Sequence, residues 1–281
     1  MGFVLATAGA AVGLGNIWRF PYLAAEYGGG IFLLTYLLLV FSAGFVLVLT
    51  ESALGRMTGS GVLCAYEKIS RKLSVAGYLT FITPLIIFSF YSVVGGWVMF
   101  YALQFIFGNG SLLADSGYFS AFTAEPVIPA VFTLIFIALT AWIVLRGVRR
   151  GIEKTTRLLM PVLLVMLVVL AAYCICMPGG LDGLWYFFYP DFSKFSAELV
   201  LAALGQMFFT LMIGSGVIMT YGSYLSKSEN LVKSAHSIDF FDTAVAILAG
   251  LLVIPAVFAL SGGSPETLGS GPALMFIALP Q

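Results

Sequence analysis

The chain has 281 residues, of which 60% are hydrophobic and only 9% charged, and its formal net charge is zero. A soluble domain carries about a quarter charged residues, so this chain cannot cover a water-facing surface. Without a basic excess it also has no surface for neutralising nucleic-acid phosphates, and what remains is an all-α polytopic membrane protein.

In chain order, the uncharged runs predict seven segments at residues 2–18, 31–50, 74–108, 126–145, 158–178, 199–226 and 231–261. Five are clean by hydropathy. The first is short and broken by glycines, and the seventh contains Asp239 and Asp242. The first run has neither a basic lead nor a small-residue cleavage site, so no cleavable signal peptide is expected. Cys64, Cys174 and Cys176 lack zinc or disulfide spacing and read as small packing residues. Residues 262–281 read as an external loop heading for a further apolar run, and both ends of the chain read as interrupted.

Basic residues set the orientation. Of 13 Lys and Arg residues, all but Arg19 and Lys194 fall in or beside the second, fourth and sixth connections. The positive-inside rule makes those connections cytoplasmic, which places the N-terminus in the cytoplasm and the protein in the plasma (inner) membrane.

Three places put polar groups at membrane depth. The stretch "GAAVGLGNIWRFP" (9–21) is the least helix-friendly run of the chain. In "GQMFFTLMIGSG" (205–216), Gln206 and Thr210 precede a Gly-Ser-Gly break. Thr210 lies about 18 Å past Glu198, and Asp242 about 14 Å past Lys233, at the helical rise of 1.5 Å per residue. Both depths fall near the middle of a core about 30 Å thick. An aspartate there is costly and marks a functional site. Interrupted helices are tolerated in lipid only where they line an enclosed site. Their free amides suit a carboxylate. Their free carbonyls, with Asn16, Thr210 and Asp242, offer a hard oxygen cradle for a monovalent cation.

Other features read more plainly. Residues 28–30 form a tight glycine turn, and the aromatics of 184–190 suit the membrane interface. His236, at the cytoplasmic end of the seventh segment, is interfacial, with Asp239 or Glu229 as conceivable partners. Ser215 and His236 sit half a membrane apart, so a serine hydrolase lacks a base within reach of its nucleophile and no enzyme is expected.

The motifs "GAAVGLGNIWRFPYLAAEYGGGIF", "TESALGR", "RGVRRGIEK", "GQMFFTL" and "YGSYL" resemble the neurotransmitter:sodium symporter family, in its bacterial leucine-transporter-like branch of amino-acid symporters. The resemblance implies an inverted-repeat fold with discontinuous first and sixth helices, here truncated after the seventh. Residues 1–178 would form the first five-helix repeat, 179–261 the start of the second, and 262–281 a loop to an eighth helix. It implies Na+-coupled transport of an amino acid, with a homo-oligomer left open. The alternative is a non-transporting fragment or a partner of a full-length symporter.

By the same resemblance, one sodium is held by Ala11, Asn16, Thr210 and Asp242, and a second by Gly9 and Val12 with ligands from the eighth helix. Leu14, Gly15 and Tyr91 would hold the substrate carboxylate, and Ala11, Phe209, Thr210 and Met212 would face its amine. Ile87, Phe209 and Ser215 would shape the side-chain pocket, where the small Ser215 leaves room for a larger substrate unless Met212 fills the space. Phe209 matches a lid, Arg19 the outer gate, and Glu51 the carboxylate supporting the unwound sixth helix. Tyr36, Gln206 and Thr210 match chloride-site positions. Since Asp242 supplies a negative charge and Ala246 replaces a frequent serine, chloride is not expected to be required.

Overall fold

A computed structural model describes residues 12–115, 117–226, 228–261, 276–277 and 280. It divides into two compact units, residues 1–83 with 156–267 and residues 84–155 with 268–281.

The first unit contains a helix, α1, that starts as a π-helical turn at Gly15–Arg19 and continues as Phe20–Glu26. Val12 and Gly13 before it are not helical. After the turn at Gly28 and Gly29, both with positive φ, α2 runs over Gly30–Thr58. It passes the sequence-predicted end at residue 50 by two turns. Glu51 does not stop it because that carboxylate finds a backbone partner in the interior. The stop is Gly59, in the left-handed conformation that caps helices. The second connection holds a short amphipathic helix, α3 (Val62–Ile69), where the sequence suggested only a loop.

Helix α4 (Ser74–Ile106) leaves the first unit at Pro84. In the second unit it crosses α5 (Val127–Leu145). A Cβ on Gly95 would sit 2.6 Å from the Phe136 ring, and one on Gly96 would sit 2.6 Å from the Thr133 nitrogen. Phe276 joins Trp97, Tyr101 and Phe119 in an aromatic cluster in the same unit. Helix α6 (Glu153–Cys176) returns to the first unit.

There, α7 (Gly180–Phe188) packs on the last long helix, α10 (Leu231–Ser261), through Gly183 and Gly250, and Phe187 is fully buried between them. The aromatic run is therefore divided: Trp185 and Tyr189 stay exposed, while Tyr186 donates to the Ala25 carbonyl at 2.7 Å. The sixth predicted segment is two helices, α8 (Ala197–Thr210) and α9 (Val217–Ser223), separated by six residues in turns and bends. Among the described residues, five helices are long and apolar enough to cross a membrane. Helix α5 buries none of its residues, as a lipid-facing helix would.

Candidate functional site

The break between α8 and α9 follows from its residues. Gly214 and Gly216 have positive φ, and so does Met212 at 54°, a conformation that costs a side-chain-bearing residue free energy. The Ser215 hydroxyl turns back to donate to the Met212 carbonyl, so this side chain is engaged inside the break. Glu51, across on α2, accepts the Gly214 amide at 2.7 Å and ties the unwound segment down.

On the other side of the break, α9 lies against α2 with almost no side chain between them. A Cβ on Gly55 would fall on the Met219 carbonyl oxygen, and one on Gly222 would sit 2.6 Å from that of Ser52. Small residues at such contacts let backbones approach closely in a membrane, where lipid offers no hydrophobic drive for association.

At the end of α8 the polar groups meet. Thr210 and Asp242, placed at similar depth by counting residues, are in contact: the Thr210 hydroxyl donates to Asp242 Oδ1 at 2.9 Å and lies 3.1 Å from Oδ2. Asn16 donates through Nδ2 to Asp242 Oδ1 at 2.8 Å and to its backbone carbonyl at 3.0 Å. The Asn16 Oδ1 accepts the Gly13 amide at 3.0 Å, which fixes the side chain at the start of α1. The Tyr36 hydroxyl adds a bond to Asp242 Oδ2 at 3.3 Å. Asn16 and Asp242 are fully buried and Thr210 nearly so. The carboxylate is thus cradled by three neutral donors and, among the described residues, by no basic side chain, an arrangement that attracts a cation.

A second chain of bonds runs from the same place. Gln206 donates to the Gly15 carbonyl at 2.9 Å and accepts from Arg19 at 3.0 Å. The Arg19 guanidinium also lies over the Phe209 ring, 5.2 Å from its centroid. Gly15 lets α1 reach α8, since a Cβ there would be 3.1 Å from that ring.

Of the sequence-predicted residues, Asn16, Thr210 and Asp242 form one cluster, and Gly15, Arg19, Gln206 and Phe209 adjoin it. Leu14 and Val12 lie at the start of α1, and Met212, Ser215 and Glu51 at the second break. Ile87 and Tyr91 lie one turn apart on α4, within the second unit. Gly9 and Ala11 lie outside the described residues. The Tyr36 bond to Asp242 had no signal beyond the family pattern, because no local spacing relates them. His236 is exposed, as read from the sequence, and its ring stacks on Phe45 with the centroids 4.0 Å apart. Cys174 is a buried packing residue, whereas Cys64 and Cys176 are exposed.

A sequence profile described as the sodium:neurotransmitter symporter family matches residues 1–109 and 127–281. The chain belongs to the sodium:neurotransmitter symporter family. Over its whole length it is 38% identical to the sodium-dependent transporter YhdH of Bacillus subtilis, covering 62% of that protein. It is 33% identical to a sodium-dependent transporter of Haemophilus influenzae, covering 63% of that protein and 99% of this chain. The chain thus spans about three-fifths of the length of these curated relatives. A crystal structure of MhsT in complex with L-phenylalanine superposes with a TM-score of 0.90 at 42% identity, over 99% of this chain and 64% of that one. The fold is that of the sodium:neurotransmitter symporters, with the sixth helix interrupted between α8 and α9.

Proposed function

We propose that this chain carries the ion- and substrate-binding centre of a symporter that couples Na+ to amino-acid uptake, placed in the plasma membrane with a cytoplasmic N-terminus. The observation that carries the reading is the convergence of Asn16, Thr210 and Asp242 where two helices start or stop. Sodium would be held by the side-chain oxygens of these residues with the Ala11 carbonyl. A second sodium would draw on the carbonyls of Gly9 and Val12. The substrate carboxylate would meet the Leu14 and Gly15 amides and the Tyr91 hydroxyl, and its amine the backbone of Ala11, Phe209, Thr210 and Met212. Ile87, Phe209 and Ser215 would shape the pocket for its side chain. Phe209 and Arg19 would close the site from outside. In this reading residues 1–178 and 179–261 belong to successive inverted repeats.

The co-crystal of MhsT with L-phenylalanine favours a large apolar amino acid as the first substrate to test. Labelled L-phenylalanine should bind the complete gene product carrying these 281 residues in sodium but not in potassium or choline medium. By linkage, phenylalanine should tighten sodium binding by the factor with which sodium tightens phenylalanine. Equal binding in all three media would overturn the reading.

Chloride independence is part of the same proposal. Tyr36 and Thr210 already donate to the Asp242 carboxylate, Gln206 donates to Gly15, and Ala246 offers no hydroxyl. A fixed anion beside the sodium position does the electrostatic work of a mobile one. Replacing chloride by gluconate should leave sodium-dependent binding unchanged, whereas Asp242→Asn should make the remaining binding chloride-sensitive. A several-fold loss in the unmodified protein on removing chloride would count against it.

A further inference from the structure

One turn before Asp242 on α10 lies a second aspartate, Asp239, with 0% of its surface exposed. Among the described residues, neither of its carboxylate oxygens has a hydrogen-bond partner. One turn further along, the hydroxyl of Thr243, a residue 3% exposed, is also buried and turned toward the Tyr36 hydroxyl. Residues at i, i+3 and i+4 share a helix face. This face therefore presents two unsatisfied carboxylate oxygens and a hydroxyl beside the carboxylate cluster, and no hydrogen bond links Asp239 to Asp242.

The surrounding charges do not compensate Asp239. Helix α10 packs on α1, α2 and α7. On α1, Arg19 is bound to Gln206, Tyr22 pairs with Glu26, and Glu26 is exposed. On α2, Tyr36 is bound to Asp242, Glu51 to the Gly214 amide, and Arg56 to the Glu229 carbonyl. On α7, Asp182 is exposed and Tyr186 is bound to Ala25. On α10 itself, His236 stacks on Phe45, and Lys233 is exposed one and a half turns away. An ionised carboxylate buried without a partner costs several kcal/mol, far more than a neutralised one.

We propose that Asp239, with Thr243, is a second cation-accepting position on the buried face of α10, neutralised by a monovalent cation, either a sodium ion or a proton. It is distinct from the Asp242 cluster, and it stands whether or not Asp242 holds sodium. A proton there would form one O–H bond on Asp239 and could be exchanged for sodium as the protein cycles; a sodium ion would take its oxygens directly.

The test compares the purified complete gene product with Asp239→Asn and Asp242→Asn, in nanodiscs. Radioactive sodium counts the ions bound at saturation, and infrared difference spectra report protonated carboxyl groups, with carboxyl-labelled aspartate separating them from Glu51. If a sodium ion occupies the site, Asp239→Asn lowers the bound sodium by one per chain. If a proton occupies it, the sodium count is unchanged and an aspartic-acid carbonyl band is lost. Unchanged sodium binding together with an unchanged spectrum would overturn the proposal. Should Asp239→Asn not fold, Asp242→Asn decides, because Asp239 is then the remaining buried aspartate among the described residues. An aspartic-acid band in that variant, or a bound sodium beyond the one assigned to Gly9 and Val12, supports the proposal, and the absence of both overturns it. A failure of Asp242 as the sodium ligand is read separately, from sodium binding that survives intact in Asp242→Asn.

Discussion

Asp242→Ala should abolish sodium-dependent substrate binding. The substitution removes the formal charge of the site and strands its donors, since Asn16, Tyr36 and Thr210 all point at the lost oxygens. An orphaned buried donor costs about 1–3 kcal/mol, so part of the effect is on stability. Asp242→Asn separates the two contributions, because it keeps the volume and one acceptor oxygen while deleting the charge. Removing one partner of a buried charge pair costs about 3–5 kcal/mol. At 1.4 kcal/mol per tenfold, that weakens sodium binding by about 10²–10⁴-fold. The half-saturating sodium concentration for phenylalanine binding measures it directly. A value within about threefold of the unmodified protein in Asp242→Asn would remove this residue from the ion site.

The second large effect is structural. Gly55→Ala places a methyl group on the Met219 carbonyl oxygen, where the obstacle is backbone and cannot swing aside. Overpacking of a tight contact costs about 1–3 kcal/mol when neighbours yield, and this lies at the upper end. Because α9 continues from the unwound segment held by Glu51, pushing α9 off α2 also displaces the support of Gly214. Thermal unfolding in detergent should shift downward, with substrate binding weakened in the fraction that remains folded. Gly61→Ala is the control: it has no atom within 4 Å of the new Cβ and an ordinary φ of −64°. It should be neutral within about 0.5 kcal/mol. Equal stability of the two variants would mean that the α2–α9 contact relaxes freely.

The sequence carried the site better than it carried the helix ends. Glycine and polar residues inside an apolar run are costly unless they do something, and so the break at residues 211–216 was legible. Depth was legible too, because a helix converts residue count into distance; Thr210 and Asp242 meet as that arithmetic requires. The end of α2 was misjudged because the hydropathy run stops at the first charge, although the family resemblance already gave Glu51 a partner across the chain, 163 residues away. His236 is exposed, as an interfacial histidine would be, but its stacking on Phe45 had no signal in the sequence. Asp239 was visible as a second acid in the seventh segment. Its lack of any partner is a three-dimensional fact that no spacing encodes.

The bonds that anchor α1 have a consequence for biogenesis. Asn16 finds Asp242 only 226 residues later, Gly15 finds Gln206 after 191, and Arg19 finds the same glutamine after 187. At a synthesis rate of 5–20 residues per second, the first segment waits about 10–45 s for its polar groups to be satisfied. Throughout that interval Asn16 and Arg19 lack the partners that hold them in the folded protein. The start of α1 can therefore settle only after α8 and α10 are made, which makes the Asn16–Asp242 cluster a late feature of this chain's assembly.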